Sequence, residues 1–278
     1  MPRARVSDVP AAAGPARGSP LVAALAGFGA GLAGGLFGVG GGIVLVPVLT
    51  AFFGLSQHQA HGTSLAAVAA TALAGIVVYG LAGHVAWLPA ALMAVSGAFT
   101  AQLGARLAAR TDRNRLSLAF ALFILVVGVR ILWRAPVTSA EPAIVGGPFA
   151  GPVGIAAALA VGGAIGLLAG FMGVGGGVLA VPVLTLLFGM SQQTAQGTSL
   201  ALILGSAPFG AVEHARLGNV VHRLLPGLMV GALLGTPLAS WAAQRLPQAT
   251  LARGFAIFLI ANALRMVWVA RAKAAKPA

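Results

Sequence analysis

Residues 38 to 65 read GVGGGIVLVPVLTAFFGLSQHQAHGTSL, and residues 173 to 200 read GVGGGVLAVPVLTLLFGMSQQTAQGTSL. Nineteen of the 28 aligned positions are identical at a fixed offset of 135 residues, close to half of the 278-residue chain. A self-match of that period constrains everything around it, because each copy must belong to one unit of a repeated architecture. Two pseudo-symmetric halves that meet at a shared site are therefore expected.

The halves have little polar surface with which to face water. Apolar residues make up 59% of the chain and charged residues 8%, with a mean hydropathy of +0.96; soluble domains carry roughly 25% charged residues. An all-α, polytopic membrane protein follows, with the lipid bilayer as its first partner. Its 40 glycines suit that class, since small residues let membrane helices approach closely. The net charge of +13 is not gathered into a nucleic-acid patch. The arginines sit beside apolar segments, as orientation signals do, so no nucleic acid is expected. With no cysteine, disulfide and thiolate chemistry are excluded, and nothing can be inferred about redox compartment.

Residues 1–20 are rich in Pro, Ala, Gly and Arg and are expected to form a disordered cytoplasmic N-terminus. A cleaved signal is not expected, because the apolar run that follows recurs in mid-chain. Membrane repeat 1 occupies 21–133, with apolar segments at 21–37, 43–53, 63–82, 86–108 and 116–133. A linker with four prolines spans 134–153, membrane repeat 2 covers 154–270, and a basic tail closes the chain at 271–278. The counterparts of the five segments are 154–171, 178–188, 198–217, 224–243 and 251–270. The second segment of each half is about half the ~20 residues a membrane helix needs. It carries Pro47 or Pro182 and follows a triple glycine, so a broken or re-entrant helix is expected, whether or not it crosses fully. Such backbone survives at membrane depth only under protein or against a water-filled cavity.

Five crossings per half with a cytoplasmic N-terminus put 12 Lys and Arg inside and four outside; four crossings give 10 and six. Positive charge prefers the cytoplasmic side, which favours five crossings and both termini inside. An odd number inverts one half relative to the other, a layout common among secondary transporters. The first segment of each half repeats glycine at four-residue spacing, Gly27, Gly31 and Gly35 matching Gly162, Gly166 and Gly170. That spacing suits either a tight crossing beside a transport path or ordinary close packing.

The candidate site is built from backbone. Gly38, Gly40, Gly41 and Gly42, with Gly173, Gly175, Gly176 and Gly177, precede the short helices and expose N–H groups at a helix start, where anions are favoured. Gly62, Thr63 and Ser64, with Gly197, Thr198 and Ser199, are expected to open the third segment of each half and add donors. Gln57 and Gln192, and the aligned His61 and Gln196, could line the cavity or its mouths, or simply supply interfacial polarity. His61 is also a candidate proton carrier, since imidazole titrates near neutrality. Glu213, beside His214, stands where the first half has Val78 and Tyr79; a local pair with Arg216 accounts for it as well as function does. Arg130 and Arg265 are aligned near the ends of the last segments and fit snorkelling.

No HExxH, GxSxG or GxxxxGK[ST] motif is present. The GxGxxG at Gly29, Gly31 and Gly34 follows no strand, so dinucleotide binding is rejected. Neither enzyme activity nor a metal or cofactor is expected. The doubled GxGGGxxxxPxL…GTSL block, over about residues 21 to 270, resembles the TauE/SafE (TSUP) family of sulfite exporters. That resemblance implies an inner-membrane carrier of small anions such as sulfite, thiosulfate or organosulfonates. Its matching positions here are Gly38 through Gly42, Pro47, Gly62 through Ser64, Gly173 through Gly177, Pro182 and Gly197 through Ser199. His58 and His61 face Gln193 and Gln196, so the halves need not contribute equally. A passive anion channel and a non-transporting membrane subunit are the competing functions; substrate identity, direction, coupling ion and oligomeric state are left open.

Overall fold

The computed structural model describes residues 19–108, 113–133, 151–173 and 175–274. Most of the N-terminal segment, linker and tail lies outside them. The described residues form ten α-helices: α1 (Pro20–Phe37), α2 (Gly42–Ala51), α3 (Gln57–Leu81), α4 (Trp87–Ala108), α5 (Arg113–Trp133), α6 (Pro152–Met172), α7 (Gly177–Leu186), α8 (Gln192–Arg216), α9 (Leu225–Arg245) and α10 (Gln248–Ala274). Six of them, α1, α3, α4, α6, α9 and α10, are long and apolar enough to cross a bilayer. The protein is an all-helical, multi-pass membrane protein.

The ends of the elements follow from local chemistry. Ser19 caps α1, its Oγ accepting from the Val22 N–H, and Pro20 begins the helix where no N–H is needed. The chain then turns through Gly38, Gly40 and Gly41, with φ of 68°, 73° and 77°, and in the second half through Gly173, Gly175 and Gly176, with φ of 65°, 84° and 77°. A side chain in that region is strained. The spacing GxGG is therefore written by the path of the backbone.

The short helices α2 and α7 have 10 residues each, about 15 Å at 1.5 Å per residue, or half of a ~30 Å hydrocarbon core. Pro47 and Pro182 lie inside them and weaken the ladder where they stand. Thr50 and Thr185 each return a hydroxyl to carbonyls three and four residues back.

One expectation is overturned at the next element. Gly62, Thr63 and Ser64 do not open α3; the helix begins at Gln57, and they lie in its second turn. Ser56 is the cap, accepting from the Gln59 N–H at 3.2 Å while the Gln59 Oε1 accepts from the Ser56 N–H. Ser191 caps α8, accepting from the Thr194 N–H, so Gly197, Thr198 and Ser199 also lie in the second turn of their helix and do not open it. The apolar run marks where lipid and core begin, whereas helix is already favoured over the polar residues before it because a capping box satisfies its end.

The two halves exchange partners. Gly27, Gly31 and Gly35 of α1 lie in order against Leu228, Ala232 and Thr236 of α9, so these helices run parallel. Gly162, Gly166 and Gly170 of α6 lie likewise against Met93, Gly97 and Ala101 of α4. A Cβ at Gly27 or Gly170 would overlap the facing backbone, so the four-residue glycine steps serve close packing between halves. The long helices α3 and α8 cross antiparallel at the centre: Gly75 meets Leu200 while Leu65 meets Gly210. Outside this group, Gly128 of α5 meets Ile260 of α10, and Phe37 of α1 stacks on Phe258 at 4.8 Å.

Candidate functional site

The two glycine turns meet at the crossing of α3 and α8. A Cβ on either Gly40 or Gly175 would touch the Val68 side chain, at 2.8 and 2.7 Å. One on Gly177 would stand 2.6 Å from the Val39 Cα and 2.7 Å from the Gly38 carbonyl oxygen. Val68 and Ile203, both fully buried, stand between the turns. Gly42 and Gly177 are the first residues of α2 and α7, and neither helix has a side-chain cap. Their first N–H groups have no partner within the helix. Two helix starts with positive partial charge thus follow adjoining turns in the buried centre of an apolar protein.

Of the other sequence-predicted residues, Gln196, His61, Ser199 and Ser64 lie against these turns. Gln196 backs onto Gly38, its Cα 2.5 Å from where a Cβ would sit, and His61 backs onto Gly173 at the same distance. Ser199 Oγ donates to the Gly38 carbonyl at 2.8 Å, and Ser64 Oγ to that of Gly42 at 3.4 Å. Thr63 Oγ1 accepts from the Val221 N–H and Thr198 Oγ1 from the Ala86 N–H, both at 2.9 Å. These hydroxyls hold the interhelical links α8–α9 and α3–α4. Gly62 and Gly197 serve the same purpose, since a Cβ at either would overlap the Asn219 or His84 carbonyl. Gln57 and Gln192 begin α3 and α8, one helical turn outside His61 and Gln196. Gln57 is half-buried, and Gln192 is buried with neither amide atom hydrogen-bonded.

Side chains that the sequence marks only faintly complete the turns. Tyr79, the one tyrosine of the chain, places its Oη 3.0 Å from the Gly35 carbonyl and 2.9 Å from Gln196 Oε1. Gly35 lies in the last turn of α1, where carbonyls lack helical partners. Ser240 of α9 reaches the same oxygen at 3.4 Å. His214, the counterpart of Tyr79, places Nε2 3.0 Å from the Gly170 carbonyl at the end of α6. The alignment of Tyr79 with His214, each in the last turn of its helix, is the signal that could have singled out both.

Glu213 is the only acidic residue among the described ones. Arg216 lies beside it at 3.6 Å, but the closer partner is Arg106 of α4, whose Nε donates to Oε1 at 2.9 Å. The local pair expected from the sequence is therefore joined by a cation from the opposite half, and the carboxylate ties α4 to α8.

The Sulfite exporter TauE/SafE family model matches residues 23–266. A probable membrane transporter protein of Xylella fastidiosa strain Temecula1 is 32% identical over 86% of this chain and 91% of its own. The Bacillus subtilis probable membrane transporter protein YunE is 27% identical over 86% of this chain and 94% of its own. A probable membrane transporter protein of Haemophilus influenzae is 28% identical over 88% and 96%. No solved structure matches the chain.

Proposed function

The chain belongs to the sulfite exporter TauE/SafE family, a family of membrane transporters, and from that premise we propose that it is a secondary permease for a small sulfur-containing anion. Sulfite, thiosulfate and organosulfonates are the candidates. The observation that carries this function is the pair of uncapped helix starts, α2 and α7, whose preceding glycine turns meet at the crossing of α3 and α8. An anion seated there meets backbone N–H groups and the positive ends of two dipoles without the desolvation cost of a buried lysine or arginine.

Access alternates. The turns pack against each other through Val39, Val68 and Ile203, so an anion can enter only when one half rocks on the other. The antiparallel crossing of α3 and α8 supports inverted repeats, in which one motion would open opposite sides in turn. The Lys and Arg distribution supports a cell inner membrane location with both termini cytoplasmic. His61, half-buried beside the Gly173 turn, is the group that would couple a proton to the cycle.

Purified protein in liposomes should show saturable uptake and counterflow of labelled sulfite, thiosulfate or methanesulfonate. Flux that rises linearly with concentration and gives no counterflow would mark a channel. No flux of any of the three would remove the transport function.

A further inference from the structure

Serines and threonines on apolar helices ordinarily return their hydroxyl to a carbonyl of the preceding turn. Thr50, Ser96, Thr100, Thr185 and Ser206 all do so here, at 2.9 to 3.3 Å. Thr71 and Thr236 do not. Both are completely buried, and neither Oγ1 has a hydrogen-bond partner. The Nε2 of Gln196, equally buried, is in the same condition. A buried polar group left unmade is costly, and several together in one place point to a partner that comes and goes.

They are in one place. At Gly34 a Cβ would lie 2.6 Å from the Thr71 methyl, 2.8 Å from the Gly41 nitrogen and 2.9 Å from the Gly40 carbonyl carbon. The Thr71 side chain therefore flanks the start of α2. Thr236 Oγ1 faces Gly31 of α1 at 3.0 Å from its Cβ position, and its methyl faces Gly75, one turn beyond Thr71 on α3. The Gln196 amide reaches the same last turn of α1 through Tyr79, whose single proton serves one of its two acceptors. The second turn has no matching threonines: Ala169, Ser206 and Ala101 replace Gly34, Thr71 and Thr236 at the 135-residue offset, and Ser206 is bonded to its own helix.

Resting on the permease function above, we propose that Thr71, Thr236 and the Gln196 amide are the side-chain half of the anion site, and that this site takes a singly charged oxyanion, hydrogensulfite or an alkanesulfonate, in preference to a dianion. Recognition is by uncharged donors. The two helix starts supply roughly +0.5 of a charge each, which together match one negative charge. Among the described residues, the atoms nearest the Cβ positions of the turn glycines include none from Lys or Arg. The titratable groups around the turns are Tyr79, His61 and His214; Glu213 is engaged by Arg106 and Arg216.

The test is counterflow of labelled methanesulfonate in proteoliposomes in mildly alkaline buffer, with unlabelled ethanesulfonate, sulfate and thiosulfate as competitors. Ethanesulfonate should compete, and the two dianions should not. Thr71→Val and Thr236→Val should each raise KM about tenfold, the effect of one hydrogen bond. Both variants should be at least as heat-stable as the parent, since each removes an unsatisfied buried hydroxyl. A purely structural threonine would show that stability with an unchanged KM. Unchanged KM in both variants, or sulfate competing as well as ethanesulfonate, overturns the proposal while leaving the permease function standing. Absence of flux for every anion overturns both.

Discussion

The turn at Gly38 and the turn at Gly173 have the same backbone and different company. Three glycines at matching positions adopt positive φ in each, and each is followed by an uncapped 10-residue helix. Around the first stand Gln196, Tyr79, Thr71 and Thr236, all neutral; around the second stand His61 and His214. Enclosure differs too. Most of α7 is buried, whereas half of α2 is partly exposed; Gln192, Gln193 and Gln196 are buried where Gln57, His58 and His61 are half-buried. Backbone geometry is the same in both turns, while the side chains packed beside them differ.

The largest effect expected is one in which the turns behave alike. Gly38→Ala and Gly173→Ala each force a side chain into left-handed backbone and set it 2.5 Å from a Cα of the opposite half, that of Gln196 or His61. Neither neighbour can yield, because backbone stands behind it. Both variants should be lost from the folded fraction, as measured by fluorescence size-exclusion of a tagged protein. Survival of one but not the other would mean that the turns are not equivalent even in backbone.

An intermediate effect should separate them. His61→Gln places at the second turn the residue that the first turn already has at 196. If the second turn carries the proton, a pH gradient should stop accelerating uptake in this variant while uptake without a gradient continues. Gln196→Gly would not serve as the mirror experiment, but Gln196→Asn shortens the amide and should raise KM with the gradient effect intact. Equal responses to the gradient in His61→Gln and the parent would take the histidine out of coupling.

Much of this was legible because duplication is a non-local fact written locally. Two copies of GVGGG, a proline in each short segment and a GTSL block are enough to expect broken helices in two related halves. The start of α3 was misplaced because hydropathy reports where lipid begins, whereas Ser56 and Gln59 set the helix end by hydrogen bonding. Arg106 escaped notice because a helix-spaced Arg216 offered a nearer partner for Glu213, and only the packing of α4 on α8 brings the better one. Thr71 and Thr236 sit in apolar runs with nothing in sequence to mark them. What distinguishes them is a hydroxyl without a partner, which no spacing can show.

The smallest effect tests whether the likeness of the halves extends to motion. Gly54 and Gly189, at the ends of α2 and α7, have φ of 68° and 65°, and a Cβ on either would meet nothing within 4 Å. Alanine there costs only the left-handed conformation, about 1–2 kcal/mol, with no clash added. Gly54→Ala and Gly189→Ala should therefore lower thermal stability slightly and equally, and leave transport as it was. The links they occupy, α2 to α3 and α7 to α8, lie in differently enclosed halves. If one variant slows counterflow while the other does not, the slowed link changes conformation during the cycle: Gly54→Ala alone would point to the loosely packed α2, Gly189→Ala alone to α7.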